Sequence, residues 1–322
     1  LLKSCELKDV YSEAKNAFYS LAKHIETAYP VEILDDFKKY NDYFKGLKKD
    51  EIEYREWCVE NRLFINPLND VLKQSVVAND YLFTPSMVLK VDEKPIYQLM
   101  FNQIKQEYVS ARFLFYESLF NNGIHFSDKE VTLMDTLDYA VYSLSLEKTK
   151  ITFKICYSIL DKIAYFIYIY LKLGKINNRI NFKTIWFKNL DKNQGLHETI
   201  TKTDNWALRG LYWLSKDLYE KEFDTYIEPQ AKEIANIRNY IEHKSFKIVE
   251  SFNPLWSEET ETFEIDRDLF VEKTLKMIKL SRSALMYLLF MIYEEESYRE
   301  KSRGEGLIMP VEFRNLNDEY KI

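Results

Sequence analysis

Glycine and proline are scarce in this chain, with only seven of each in 322 residues. A β-rich fold needs many tight turns, and tight turns favour these two residues, so their scarcity argues against such a fold. Apolar residues make up 46% of the chain, which is enough for a buried core. Long stretches repeat apolar residues at spacings of three and four. We therefore predict a nearly all-α protein rather than a β-rich or disordered one.

Caps and breakers divide the helical pattern into segments. The pattern predicts helices over 10–28, 36–48, 51–64, 97–121, 127–146, 149–173, 206–218, 227–246 and 268–298. The helix over 127–146 is assigned from Ser127 and Glu130, which have the spacing of a capping box. An acidic, irregular segment is expected over 249–265.

Three regions follow from this pattern. We expect an N-terminal helical segment over 1–50, a helical domain over 51–300 and a loose C-terminal tail over 301–322. The first residue is Leu rather than Met, so further sequence is expected upstream, and 1–50 is a candidate end of a helical-repeat region.

Charge and cysteine usage bound the class of protein. The net charge of −6 disfavours a protein that coats DNA non-specifically, because such a protein would be basic. A small basic cleft is still compatible with that charge. Cys5, Cys58 and Cys156 are odd in number and far apart, so they suggest no disulfide framework and fit a reducing cytoplasm best. We expect Cys58 to be buried and inert.

Two apolar runs, 155–171 and 284–293, raise the question of a membrane span. Both are shorter than the roughly 20 clean apolar residues that a spanning helix needs, and the first contains Asp161 and Lys162. We expect both runs to be buried core helices, with no membrane partner.

The motifs of the common enzyme classes are absent from the sequence. It contains neither of the glycine-rich nucleotide loops, G-x-G-x-x-G and G-x-x-x-x-G-K-[ST]. It has no H-E-x-x-H, no C-x-x-C and no G-x-S-x-G, and its four histidines are too scattered for a His-rich metal site. We therefore expect no cofactor and no metal ion.

One constellation can carry chemistry: Arg238, Asn239 and His243, an R-x4-H motif with a polar residue after the arginine. A histidine with a pKa near neutrality can take a proton from a 2′-hydroxyl or give one to a leaving 5′-oxygen. A permanently charged guanidinium can hold the scissile phosphate, and Asn239 can orient His243 or the substrate. A lone helical histidine beside Glu242 and Lys244 can also be a solvated surface residue. The motif alone leaves both interpretations open.

Helix geometry separates Arg238 from His243. Five residues at about 100° each leave them about 140° apart around an ideal helix, whereas Asn239 and His243 share a face. The pair can converge through the reach of the arginine, a distorted helix end or a second subunit. We favour the second subunit, because a two-fold dimer would place two of each residue around one cleft. A homodimer or higher oligomer is therefore expected.

The surroundings of the motif fit a nucleic-acid site on an amphipathic helix. Ile234, Ile237 and Ile241 form an apolar stripe, and Lys244 and Lys247 follow directly, where they can neutralise flanking phosphates. A very apolar helix comes next. This order of helices around R-x4-H resembles the HEPN superfamily, whose members are largely metal-independent ribonucleases and related toxins.

A closer resemblance is to the LA2681-like HEPN family. Four segments carry it, and with the final helix they span most of residues 50–295: 54–70, 157–174, 205–220 and 231–249. The resemblance implies an HEPN-like helical bundle with additional N-terminal helices, dimerisation and ribonuclease activity. It also implies that helical repeats can precede this stretch.

Weaker candidates lie outside the motif. Arg209 and Lys216 are candidates for lining an RNA groove, although solvated positions explain them equally well. Asp161 lies on an apolar helix and must be paired or face a cleft, and a buried salt bridge with a lysine is the favoured role. Trp206 and Trp213, seven residues apart, are expected in the core rather than stacked on bases.

The sequence therefore predicts a metal-independent RNA endonuclease of a toxin or antiviral-defence system. The alternative is a catalytically inactive HEPN-like module that binds a partner protein or a small ligand in the same cleft. A regulatory protein and an upstream helical-repeat region are further candidate partners. A nucleotide-modifying module is disfavoured, because the Gly-Ser and Asp pattern of nucleotidyltransferases is absent.

Overall fold

The computed structural model describes residues 44–90, 93–120, 124–132, 140–175, 179–219, 231–250, 262–304 and 308–309. The predicted helix over 10–28 and most of the one over 36–48 lie outside these ranges, and the described end of the latter, 44–48, is a turn and extended chain. The predicted C-terminal tail is also largely outside them.

Helices dominate the described part of the chain, so the all-α prediction is confirmed. Its α-helices are α1 (Lys49–Glu60), α2 (Ile96–Phe120), α3 (Leu144–Tyr170), α4 (Glu198–Thr201), α5 (Trp206–Tyr219), α6 (Ala231–His243) and α7 (Arg267–Lys301). Two short strands, β1 (Ser245–Val249) and β2 (Thr262–Asp266), form a parallel pair that the sequence did not predict.

The chain divides into two compact units, Leu1–Leu82 and Phe83–Ile322. In the first, α1 and the turns after it enclose a small core that includes Cys58, which is fully buried as expected. Asn69 is also fully buried there. Its side chain donates to the carbonyl of Val59 (3.1 Å) and accepts the N–H of Phe64 (3.2 Å), which fixes the turn that follows the helix. The predicted boundaries at residues 50 and 300 stay predictions.

The second unit is built around α3. This helix is apolar around most of its circumference, so it is buried between other helices. It packs against α2 on one side and α7 on another, and α5 packs against α7. Side-chain hydrogen bonds join these helices. Thr152 Oγ1 on α3 donates to the Ala111 carbonyl on α2 (3.3 Å), and Ser281 Oγ on α7 donates to the Cys156 carbonyl on α3 (2.9 Å). The site-bearing helix α6 packs against α5 and α3.

The helix predicted over 127–146 is wrong. Residues 126–128 form a single 3-10 turn whose capping box uses His125 and Asp128 instead of Ser127 and Glu130. Residues 133–139 lie outside the described ranges, and α3 begins only at Leu144, capped by the hydroxyl of Ser143. A capping-box spacing fits several neighbouring pairs in a polar segment, so spacing alone could not select the right one.

The two strands close the end of α6. Their register pairs Lys247 with Glu264, and Ala140 adds an antiparallel bridge to Val249. Aromatic rings cover this end of the bundle: the Phe263 ring lies 5.0 Å from that of Tyr240, centroid to centroid. The chain therefore leaves the motif helix directly into a strand, within the segment that the sequence assigned to the helix end.

Candidate functional site

The motif lies on α6, whose position follows from its apolar stripe. Ile234 and Ile237 are fully buried and Ile241 is half-buried, as the three- and four-residue spacing predicted. The last helical hydrogen bond brings the N–H of Lys244 to the carbonyl of Tyr240 (3.1 Å). Arg238 therefore lies inside the helix, and the backbone of His243 forms its last residue.

Arg238 points between α6 and α3. Its Nη2 lies 2.8 Å from Glu242 Oε2, one helical turn further on. Its guanidinium carbon lies 5.1 Å from the centroid of the Tyr157 ring, a cation–π arrangement. The Nε atom is buried and has no acceptor among the residues that the structure describes. The guanidinium is thus held on two sides while part of its hydrogen-bonding capacity is unused.

Two tyrosines that are hydrogen-bonded to each other lie beside Arg238. The hydroxyl oxygens of Tyr157 and Tyr219 lie 2.6 Å apart and are hydrogen-bonded. Burial raises the pKa of Tyr157 to about 12, against the opposing effects of the Tyr219 hydroxyl and the Arg238 charge. The pKa of Tyr219 is also raised, first by burial and then by Tyr157. Both phenols are therefore neutral at physiological pH, and their hydroxyls act as hydrogen-bonding groups.

Asp161 completes the group, which we call the Arg238 cluster: Tyr157, Asp161, Tyr219, Arg238 and Glu242. Burial raises the pKa of the Asp161 carboxyl, while the hydrogen bond from the Phe182 N–H (2.9 Å) and the charge of Arg238 act to lower it. We predicted a lysine as the partner of this carboxylate. Within the described residues, the carboxylate instead accepts the Phe182 N–H and is stabilised by the nearby charge of Arg238.

Two of the other candidate residues on or just after α6 face outward. Asn239 and Lys244 are exposed, and Lys244 Nζ lies 4.7 Å from the centroid of the Tyr240 ring. Lys247 is on β1, with its Nζ 3.4 Å from Glu264 Oε1, so a carboxylate already opposes its charge. The roles of Asn239, to orient His243 or the substrate, and of His243, to transfer a proton, stay predictions.

The two candidates on α5 lie at opposite ends of that helix. Arg209, in its first turn, donates to the carbonyl of Thr203 and lies 3.8 Å from Asp204 Oδ1. Lys216, in its last turn, lies beside Tyr219 of the Arg238 cluster. Lys216 is therefore near the cluster, whereas Arg209 lies nearly three helical turns from Tyr219 along the axis.

The prediction that Trp206 and Trp213 are core residues is wrong. Trp206 is 57% exposed and Trp213 is 46% exposed. One face of Trp206 packs on α7, where its ring is stacked 6.1 Å from that of Phe290. The seven-residue spacing was read as a core stripe, but on α5 the buried stripe is formed by Ala207, Leu208, Leu211 and Leu218.

Sequence reasoning did not select Tyr157, Tyr219 or Glu242. A signal for the first existed: Tyr157 and Asp161 are four residues apart within the apolar run 155–171, so two polar groups share one face. Tyr219 gave no such signal, because it ends an amphipathic helix where a tyrosine is ordinary.

The described residues show neither a metal-binding group nor a membrane-spanning helix. Across the described ranges, no three His, Cys, Asp or Glu side chains are grouped as a metal site would require. No helix in those ranges combines the length and the apolar character needed to cross a bilayer.

Comparison with known proteins identifies the family of this chain. Searches of curated proteins and of solved structures gave no significant match. The sequence model of the LA2681-like HEPN family matches residues 88–295, which is more than half of the chain. The match includes three of the four segments on which the resemblance rested, together with α6 and the Arg238 cluster, and it leaves 54–70 outside. The chain therefore belongs to the LA2681-like HEPN family.

Proposed function

We propose that this protein is a metal-independent RNA endonuclease of the toxin or defence type, acting in the cytoplasm. The observation that carries the proposal is the position of Arg238 in the HEPN domain. The motif arginine is held by a tyrosine ring on one helix and a carboxylate on its own helix, with its Nε unpartnered within the described ranges. An HEPN domain is consistent with a ribonuclease or a nucleotide-binding helical module.

In this proposal Arg238 binds the scissile phosphate. A guanidinium presents several N–H donors in one plane, so it can grip two phosphate oxygens and offset the charge that builds on them. Glu242 competes for the same donors. Substrate binding therefore requires that the phosphate replace or share the Glu242 contact.

His243 is the proposed proton-transfer group. It takes the proton of a ribose 2′-hydroxyl, whose oxygen attacks the adjacent phosphorus, and the bond from phosphorus to the 5′-oxygen breaks. The leaving 5′-oxygen takes a proton from water or from a protonated histidine. The products are a 2′,3′-cyclic phosphate, which can open to a 3′-phosphate, and a 5′-hydroxyl end. Asn239 orients the histidine or the substrate.

A symmetric dimer would complete this site. Arg238 faces the bundle interior, and His243 comes about 140° further around the helix, so a single α6 does not direct both to one point. Two copies related by a two-fold axis supply two of each residue. Mixing an Arg238→Ala protein with a His243→Ala protein should then restore part of the cleavage that each lacks. Mixtures with no more activity than the separate variants would exclude the shared site.

One observation favours a non-catalytic binding module instead. The ion pair with Glu242 already occupies part of Arg238, as expected where the arginine has a structural role. In that case the cleft would hold a partner protein or a small ligand, and the acidic surface suits protein contacts.

The deciding experiment measures RNA cleavage in EDTA with the whole chain. His243→Ala should lose roughly 10² to 10⁴ in rate, the usual size of general acid–base catalysis. Arg238→Ala should lose a similar factor, and Arg238→Lys should recover little of it, because lysine lacks the planar fork. His125→Ala, which removes a histidine from a surface turn, is the matched control. Wild-type protein that cleaves no RNA in any oligomeric state would favour the binding module.

A further inference from the structure

A small pocket opens beside the Arg238 cluster. It lies between α5 and the loop that follows α3, and Tyr219 of the cluster forms part of its wall. Its volume of about 60 Å³ is less than the roughly 150 Å³ of a cavity that encloses a benzene ring, so a base would lie against its open wall and only partly inside it. The residues that line it include three aromatic side chains and three lysines: Lys183, Trp186, Lys192, Tyr212, Lys216 and Tyr219. We call it the Lys216 pocket.

The lysines of this pocket lie against aromatic faces. Lys216 Nζ is 5.2 Å from the centroid of the Tyr212 ring and 5.4 Å from that of Trp213. Lys183 Nζ is 5.9 Å from the centroid of the Tyr219 ring. In a protein of net charge −6, this is a local concentration of positive charge on stacking surfaces. Basic grooves interleaved with aromatic rings are the common solution for binding single-stranded nucleic acid.

Hydrogen bonds fix the pocket wall to the Arg238 cluster. The N–H of Phe182 donates to Asp161 Oδ1 (2.9 Å). Its carbonyl accepts from Trp186 Nε1 (2.6 Å) and from Ser215 Oγ (2.8 Å). One buried residue therefore joins the carboxylate of the cluster to two residues of the pocket, so that pocket and cluster form one rigid arrangement.

Tyr219 sets the distance between the two. Its ring centroid lies 6.4 Å from that of Tyr157, which lies 5.1 Å from the guanidinium carbon of Arg238. The phosphate-binding arginine is thus within about 12 Å of the pocket wall. A single RNA strand can place a base in the pocket and a neighbouring phosphate at Arg238.

We infer that the Lys216 pocket binds one unpaired base of the RNA substrate, next to the phosphate that Arg238 holds. The base replaces the Lys216 ammonium on the Tyr212 ring, which is the main stacking surface, while Lys183 and the displaced Lys216 neutralise flanking phosphates. The inference rests on the proposed ribonuclease function for its substrate, and it adds where the strand is anchored. It predicts a preference for single-stranded over double-helical RNA, because a paired base cannot enter.

The test separates binding from cleavage with a fluorescein-labelled 2′-O-methyl RNA, which has no 2′-hydroxyl to attack. Its affinity for the whole chain is compared with that of an abasic strand of equal length, by fluorescence anisotropy over a range of salt. Wild type should bind the strand with bases at least about five-fold more tightly, the lower end of what base–aromatic stacking gives. Tyr212→Leu should remove most of that difference.

Lysine variants test the pocket independently of Tyr212, whose loss could disturb folding. Lys216→Ala should weaken binding and reduce the slope of log affinity against log salt by about 0.7, the value for one phosphate contact on a single strand. Lys129→Ala is the matched control. It removes an exposed lysine next to Asp128, which binds the start of α3, about 20 Å along that helix from Tyr157.

Two results would overturn the inference: equal affinity of wild type for the strands with and without bases, or a Lys216→Ala protein that matches Lys129→Ala in affinity and salt slope. The proposed function fails differently. Base-dependent binding that Lys216→Ala weakens, in a protein that cleaves no RNA, would retain the pocket and reject the nuclease. Cleavage with unchanged binding in the pocket variants would retain the nuclease and reject the pocket.

Discussion

The guanidinium of Arg238 rests on the ring of Tyr157, with 5.1 Å between the guanidinium carbon and the ring centroid. The two residues come from helices far apart in sequence, α6 and α3. The tyrosine hydroxyl is hydrogen-bonded to Tyr219 on α5, so three helices jointly set the position of the motif arginine. Four predictions follow from this arrangement and its surroundings.

The Tyr157 ring should matter more to activity than the Tyr157 hydroxyl. A cation–π contact contributes about 0.5–2 kcal/mol, so Tyr157→Leu should reduce RNA cleavage by roughly two- to thirty-fold by releasing Arg238. Tyr157→Phe keeps the ring and should retain most activity, although losing the bond to Tyr219 should cost about 1 kcal/mol of stability. Initial rates in EDTA and urea unfolding measure the two effects. Equal activity of the Leu and Phe variants would show that the ring does not position Arg238.

Glu242 should act as a competitor of phosphate. Glu242→Gln removes the charge that pairs with Arg238 at 2.8 Å, so an uncleavable 2′-O-methyl RNA should bind several-fold more tightly. The loss of stability should be modest, because pairs four residues apart on a helix surface contribute about 0.3–0.5 kcal/mol and this pair is still partly exposed, at 34% for Arg238 and 27% for Glu242. Glu53→Gln, which breaks the analogous pair with Lys49 on α1, is the control for lost negative charge. Unchanged or weaker binding in Glu242→Gln alone would argue that Glu242 supports the substrate site instead.

Asp161 should make stability depend on pH. Its folded-state pKa lies above the ordinary value of 3.8 because of burial, so the folded protein holds this proton more tightly than the unfolded chain. The resulting stabilisation is fully present below pH 3.8 and is lost as the pH rises through the raised pKa. Asp161→Asn keeps an oxygen for the Phe182 N–H and has no charge to bury.

The melting temperature of Asp161→Asn should therefore fall less than that of wild type from acidic to neutral pH. Asp191→Asn alters a half-buried aspartate that also accepts a backbone N–H, and it controls for the loss of one negative charge. Parallel melting curves against pH for wild type and Asp161→Asn would contradict the prediction.

Gly210 should be required by packing inside α5. A Cβ at this position would lie 2.9 Å from Tyr287 Cε1 on α7. Alanine is preferred to glycine in a helix by about 0.8–1.0 kcal/mol, but an overpacked contact typically costs about 1–3 kcal/mol. Gly210→Ala should therefore lower the free energy of unfolding. Gly304→Ala, where a Cβ meets no atom within 4 Å, should not. A stabilised Gly210→Ala protein would mean that the Tyr287 ring moves aside freely.

The amino-acid sequence by itself determined the helical class, the motif helix with its buried Ile234 and Ile237, and the family. These features depend on spacings within a few turns of one helix, where backbone geometry alone decides which side chains share a face. The family was recognised from segments of this kind, and its sequence model matches residues 88–295.

Only the tertiary structure decided what surrounds Arg238. The ring beneath it, the hydroxyl of Tyr219 and the N–H that holds Asp161 come from separate helices and a loop, and no local spacing specifies which of these meet. The same limit explains the exposed Trp213 and the parallel strands after His243. Burial and strand pairing are settled by contacts between segments distant in sequence, where packing overrides local propensity.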